Sequence, residues 1–122
     1  MHELSLAEHA LAIIEETARR EGFTRVHRVR VEVGRLSHVE PDALRFAFSA
    51  VCVGSCADGA VLEIIDIPGE GECPQCRTRS PMDAEPAWCP RCESSPLRVV
   101  GGTRMAVRDV FVDDAGVGAE RP

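Results

Sequence analysis

The sequence predicts an α+β chain: a small sheet with two helices, into which a separate cysteine-bearing ribbon is inserted. Three observations predict this. Two stretches repeat apolar side chains at helical spacing, three repeat them at strand spacing, and four of the six cysteines fall in paired C-x-x-C motifs between positions 73 and 92.

Residues 5–21 read as an amphipathic helix. Ser5 and Glu8 match the S-x-x-E capping box, and Leu6, Ala10, Ile13, Ile14 and Thr17 share one face. Arg19 and Arg20 suit the last turn, and Gly22 suits the left-handed position after it. Residues 25–33 read as a strand, with Val29, Val31 and Val33 alternating against Arg28, Arg30 and Glu32. Residues 41–53 read as a second helix that opens on Pro41, carries Leu44, Phe48 and Val51 as its stripe, and stops at Gly54. Residues 60–67 read as a mostly buried strand. Pro68-Gly69-Glu70-Gly71 is a breaker stretch and a boundary, and Gly101-Gly102 marks a turn. Residues 103–112 read as a last strand that returns to the first sheet. The expected division is a first domain of residues 1–68 and 99–113, a second of residues 69–98, and a disordered tail over residues 114–122.

With 122 residues and a net charge of −6, the chain suits one compact domain or two very small ones. An acidic chain is a poor fit to nucleic acid or an anionic membrane, because both need clustered positive charge. No apolar run approaches the ~20 residues of a membrane span. The start lacks the basic and apolar regions of a secretory signal, so the expected location is cytoplasmic. There, cysteines serve metals or redox chemistry rather than disulfides.

Cys73-Pro-Gln-Cys76 and Cys89-Pro-Arg-Cys92 give C-x2-C-x12-C-x2-C. Two such turns supply the four thiolates of a closed tetrahedral zinc site, which leaves no open position for catalysis. Iron would take the same ligands, but nothing else in the chain points to electron transfer. Large apolar residues between positions 72 and 98 are few, chiefly Met82, Trp88 and Leu97. They do not offset the entropy of ordering about 27 residues, whereas zinc binding at roughly 10–16 kcal/mol does. Arg77, Arg79, Arg91 and Arg98 are outnumbered by Glu70, Glu72, Asp83, Glu85 and Glu93, so the ribbon reads as a scaffold or protein contact.

The start, Met1-His2-Glu3, offers a different metal chemistry. A free α-amine, the backbone nitrogen of residue 2 and the His2 imidazole close fused chelate rings, and such nitrogen donors suit Ni(II) or Cu(II). Glu3 adds a backbone nitrogen or its carboxylate. An untethered surface histidine is the competing explanation. His9 and His27 read as surface or packing residues, and His38 and Glu40 are weaker candidates in the loop before the second helix. Cys52 and Cys56 straddle Gly54 either as ordinary thiols or as a reactive pair. No triad, phosphate loop or nucleotide motif is present, so the chain does not read as an enzyme.

An initiating MHE, a helix, a strand, a second helix ending near Cys52-Val53-Gly54, then CPxC…CPxC and a final strand resembles the HypA/HybF family of hydrogenase nickel-incorporation proteins, from Met1 to about Asp113. The resemblance implies a nickel metallochaperone for [NiFe]-hydrogenase. By it, Met1, His2 and nearby backbone nitrogens bind Ni(II) as transferred cargo, Glu3 shapes the site, and Cys73, Cys76, Cys89 and Cys92 hold structural Zn(II). The implied partners are the nickel-insertion GTPase and the hydrogenase large subunit, with the chain a monomer or weak homodimer. Some relatives place a histidine in or near the zinc loop; this chain has none after His38, which favours an all-cysteine site. The alternative from another class is a zinc ribbon that binds proteins or nucleic acid and has no nickel role.

Overall fold

The structure is a computed structural model that describes residues 2–112. Its elements are α1 (His2–Glu21), β1 (Val26–Gly34), α2 (Pro41–Val51), β2 (Val61–Ile67), β3 (Gly69–Glu72), β4 (Arg79–Met82), β5 (Arg98–Gly101) and β6 (Met105–Val112). They form two three-stranded sheets, ordered β2-β1-β6 and β4-β3-β5. The α+β class is as expected, and the last strand does join the first sheet. Met1 and the expected disordered tail over residues 114–122 lie outside the described residues.

One unit gathers Glu40–Ile65 with the chain before Glu32 and after Met105. In it, α1 packs against α2. The contact face of α1 is Ala7, Ala10 and Ile14, and that of α2 is Leu44, Ala47 and Phe48. Each spacing keeps the side chains on one side of a 3.6-residue helix. Val26, Val29 and Val31 complete this core from β1, while Arg28 is exposed and Arg30 half-buried. Arg28 pairs with Glu63 at 3.2 Å, Arg30 with Asp109 at 3.2 Å, and both guanidinium carbons stand over the Phe111 ring, at 5.0 and 5.6 Å.

Helix α1 begins at His2, three residues earlier than the capping box at Ser5 predicts. A long-range contact sets the start. The Glu3 carboxylate, in the first turn, accepts a hydrogen bond from the Glu40 backbone N–H at 2.9 Å. An acid there also complements the helix dipole. At the other end Gly22, with φ of +84°, donates to the Ala18 carbonyl and closes the helix where expected. Helix α2 opens on Glu40, whose side chain accepts from the Ala43 N–H at 3.0 Å, with Pro41 next. It ends at Val51, two residues before the expected stop, and runs into tight turns from Cys52 to Ala60.

The second unit contains Glu32–Val39 and Asp66–Met105. Its central strand β3 is the stretch expected as a breaker. Glycine serves close packing here rather than a turn: a Cβ on Gly71 would lie 2.5 Å from Met82 Sδ and 2.8 Å from Leu97 Cβ. Antiparallel pairing sets Glu72 opposite Arg79 on β4 and opposite Arg98 on β5. Leu36, Cys73, Met82, Cys89 and Leu97 form the buried core. Trp88, counted above among the apolar residues of the ribbon, stays 60% exposed, and Leu36 contributes from outside the cysteine segment instead.

Candidate metal centre

The two CPxC turns fold alike. Cys73 Sγ accepts N–H hydrogen bonds from Gln75 and Cys76 at 3.3 and 3.4 Å, and Cys89 Sγ accepts from Arg91 and Cys92, both at 3.4 Å. Each turn closes with an N–H to the carbonyl of its first cysteine, from Arg77 at 2.8 Å and from Glu93 at 3.0 Å. Closure takes both residues into the left-handed region, with φ of 65° and 58°. Such turns aim two sulfurs at one point and charge-stabilise them from the backbone.

The turns meet. All four sulfurs lie within 4.8 Å of one another, with Cys73 to Cys92 at 3.6 Å and Cys76 to Cys89 at 3.7 Å. A tetrahedron with metal–sulfur bonds of about 2.3 Å has edges of about 3.8 Å. A disulfide would need about 2.05 Å. The donor set therefore fits one tetrahedral thiophilic ion, and its geometry is closed. Leu36, Met82 and Leu97 line it with apolar surface.

Two side chains that the spacing argument passed over touch this centre. Thr78 Oγ1 lies 3.2 Å from Cys76 Sγ, and Ser94 Oγ lies 3.3 Å from Cys92 Sγ. A hydroxyl and an amide donating to a thiolate favour the ionised form. The Thr78 hydroxyl, then its backbone N–H, pull Cys76 down to about 6, and Ser94 lowers Cys92 in the same way. At Cys73 the Cys76 N–H also pulls down, but burial and the bonds from neighbouring thiols leave this group raised. Four thiolates at such separations need a cation between them. The sequence signal for the hydroxyls was present: a Thr or Ser stands two residues after the second cysteine of each turn.

The N-terminal candidates occupy the first turn of α1 rather than a segment ahead of it. The His2 side chain is half exposed, and its Nδ1 is 3.8 Å from Glu3 Oε2. That same oxygen takes the Glu40 N–H, which holds the Glu3 carboxyl below its ordinary range. First-turn backbone nitrogens have no carbonyl partner within their helix. Met1 lies outside the described residues.

The remaining candidates stand apart. His9, His27 and His38 are exposed, and among the described residues none joins a group of three ligating side chains. Glu40 is a helix cap. Cys52 is buried, and burial pushes its thiol up to about 11, with Cys56 raised for the same reason. Neither is an activated nucleophile. No helix among the described residues is long and apolar enough to cross a membrane.

Comparison with known proteins agrees with this geometry. A family model described as hydrogenase/urease nickel incorporation, metallochaperone, hypA, matches residues 1–112. The hydrogenase maturation factor HypA of Dechloromonas aromatica is 50% identical over 113 residues, covering 93% of this chain and 100% of the relative. That of Paracoccus denitrificans is 46% identical over 112 residues, covering 92% and 99%. The solution structure of the Ni metallochaperone HypA from Helicobacter pylori superposes with a TM-score of 0.68 at 25% identity, over 90% of this chain and 96% of that one. With a family match across both sheets and relatives matched over nearly their whole length, the chain belongs to the HypA family of nickel-incorporation metallochaperones that serve hydrogenase maturation.

Proposed function

We propose that this chain binds Ni(II) at its N-terminus and delivers it to [NiFe]-hydrogenase. The Met1 amine, the His2 imidazole and the backbone nitrogens of the first turn supply the donors. Glu3 orients the imidazole and fixes the turn. The observation that carries this reading is the placement of His2: exposed on the first turn of α1, beside a Glu3 oxygen anchored by the Glu40 N–H. Amides without a helical acceptor can lose their protons to a metal at little structural cost. A surface chelate of few donors also exchanges readily, as delivery requires.

Cys73, Cys76, Cys89 and Cys92 hold Zn(II) in a purely structural role, within the unit that carries the β4-β3-β5 sheet, and the nickel site belongs to the unit that carries α1. The metal supplies charge and cross-linking there; the chain supplies the ligands and the donors that keep them ionised. The protein works in the cytoplasm as a carrier, not an enzyme. It passes its cargo to the nickel-insertion GTPase and the hydrogenase large subunit.

The test is metal content after nickel loading of untagged protein. His2→Ala, or acetylation of the terminal amine, is expected to lose tight Ni(II) binding and to keep one equivalent of zinc. Unchanged nickel affinity in both would sink the proposal.

A further inference from the structure

The charges of the cysteine-bearing unit nearly cancel by composition, but the fold separates them. Arg35 takes both Asp66 and Asp83, the latter at 2.7 Å, and so removes two carboxylates to one place. Three arginines gather elsewhere. Arg79 and Arg98 flank Glu72 in register from the two neighbouring strands, and Arg77 approaches it from the adjoining turn. The opposite face of this sheet is buried through Gly69, Gly71, Ser80 and Met82, so these guanidiniums mark its outer face.

The cluster has more donors than acceptors. Arg77, Arg79 and Arg98 stand 3.5, 3.9 and 3.6 Å from Glu72, and Arg79 is 3.7 Å from Glu70. All four separations exceed hydrogen-bonding distance. Three guanidiniums offer about fifteen N–H donors against about eight lone-pair sites on two carboxylates. Beside Arg79 an open depression of about 290 Å³ is lined by Pro68, Gly69 and Pro81, with Glu70 and Ser80 completing it. Forked donors next to a hollow with two proline rings on its wall fit a carboxylate side chain flanked by an apolar one.

We infer that the outer face of the β4-β3-β5 sheet, through Arg77, Arg79 and Arg98, is a docking surface for an acidic, apolar-flanked segment of a partner protein. Nucleic acid fits less well, because three arginines interleaved with two glutamates, on a chain of net charge −6, are a small footprint for a phosphate backbone. The inference does not depend on nickel binding.

The test uses the full chain and a fluorescein-labelled peptide of alternating glutamate and leucine. Saturable binding is expected, weakened roughly 10-fold in an Arg79→Gln/Arg98→Gln variant and little changed in Arg19→Gln/Arg20→Gln. It should also weaken between about 50 and about 200 mM salt. Glu70→Gln frees Arg79 and should tighten binding about threefold, a gain that a purely structural role for these side chains would not give. Absence of saturable binding, equal affinity across all variants, or tighter Arg79-dependent binding of a single-stranded DNA of the same length would each overturn the inference. Retention of one metal per chain and an unchanged circular dichroism spectrum identify a folded variant. Should the double variant fail to fold, the Glu70→Gln comparison decides alone.

Discussion

A thiol is reactive in proportion to its ionised fraction, and the six cysteines divide sharply on that count. Backbone and hydroxyl donors surround the sulfurs of Cys76 and Cys92, while burial dominates at Cys52. With its thiol raised from 9.0 to about 11, folded Cys52 should react with iodoacetamide at least about 10-fold more slowly than a free cysteine at pH 8, the smaller ionised fraction outweighing the greater nucleophilicity of its thiolate. The rate should climb with pH until about 11. The same shift bears on stability. Below about 9 the thiol is neutral in both states and silent; as pH rises from 9 towards 11 the unfolded thiol ionises first, so stability falls. Peptide mapping after timed alkylation checks the first point, and fast labelling of native Cys52 at pH 8 would contradict it. At this scale the four-cysteine cluster was legible because C-x-x-C spacing is itself a geometric statement. Thr78 and Ser94 share a spacing signal too, but a hydroxyl matters only once the turn brings it to a sulfur. Trp88 counts towards the ribbon's apolar content without joining its core, because bulk alone does not say which side of a short ribbon faces solvent.

Among the elements, periodicity located each helix and strand of the first sheet but placed ends by local signals alone. The start of α1 moved because Glu3 finds a donor 37 positions away, which no local capping pattern contains. Gly69–Glu72 moved from breaker to strand for a related reason. Glycine signals a missing side chain, and whether that serves a turn or a close approach depends on what lies opposite. Gly71 decides the matter in a testable way. Gly71→Ala places a methyl 2.5 Å from Met82 Sδ and 2.8 Å from Leu97 Cβ. Such overpacking typically costs about 1–3 kcal/mol. The variant should therefore melt at lower temperature and release its metal faster to a chromogenic chelator, whereas Ala at Gly54, where a φ of +81° strains any side chain but which belongs to the other unit, should leave metal release unchanged. Equal release rates for Gly71→Ala and the parent would refute the packing role of β3.

For the whole molecule, the two units rest on different sources of stability. The first buries Ile14, Leu44, Phe48 and Val29 among the packed faces of two helices and a sheet. Fully burying one such side chain is worth roughly 1.5–3 kcal/mol, so this core is substantial without a ligand. The second buries Leu36, Met82 and Leu97, and two further members of its core are the cysteines Cys73 and Cys89 themselves. The sequence showed how little apolar surface the ribbon has. It did not show that Leu36 helps to enclose the sulfurs, because that contact joins chain segments more than thirty positions apart. Removing the metal should then act unequally. With four thiols within 4.8 Å and no cation, ionised sulfurs repel and protonated ones lose their ligand bonds. The lost binding energy, roughly 10–16 kcal/mol in small zinc peptides, exceeds anything three apolar side chains supply. Stripping with a strong chelator under reducing conditions is expected to collapse the amide signals of β3, β4 and β5 into the unfolded range while those of α1 and α2 persist. Zinc addition should restore them. Loss of helix and ribbon signals together at one chelator concentration would show instead that the metal stabilises the chain as one cooperative unit.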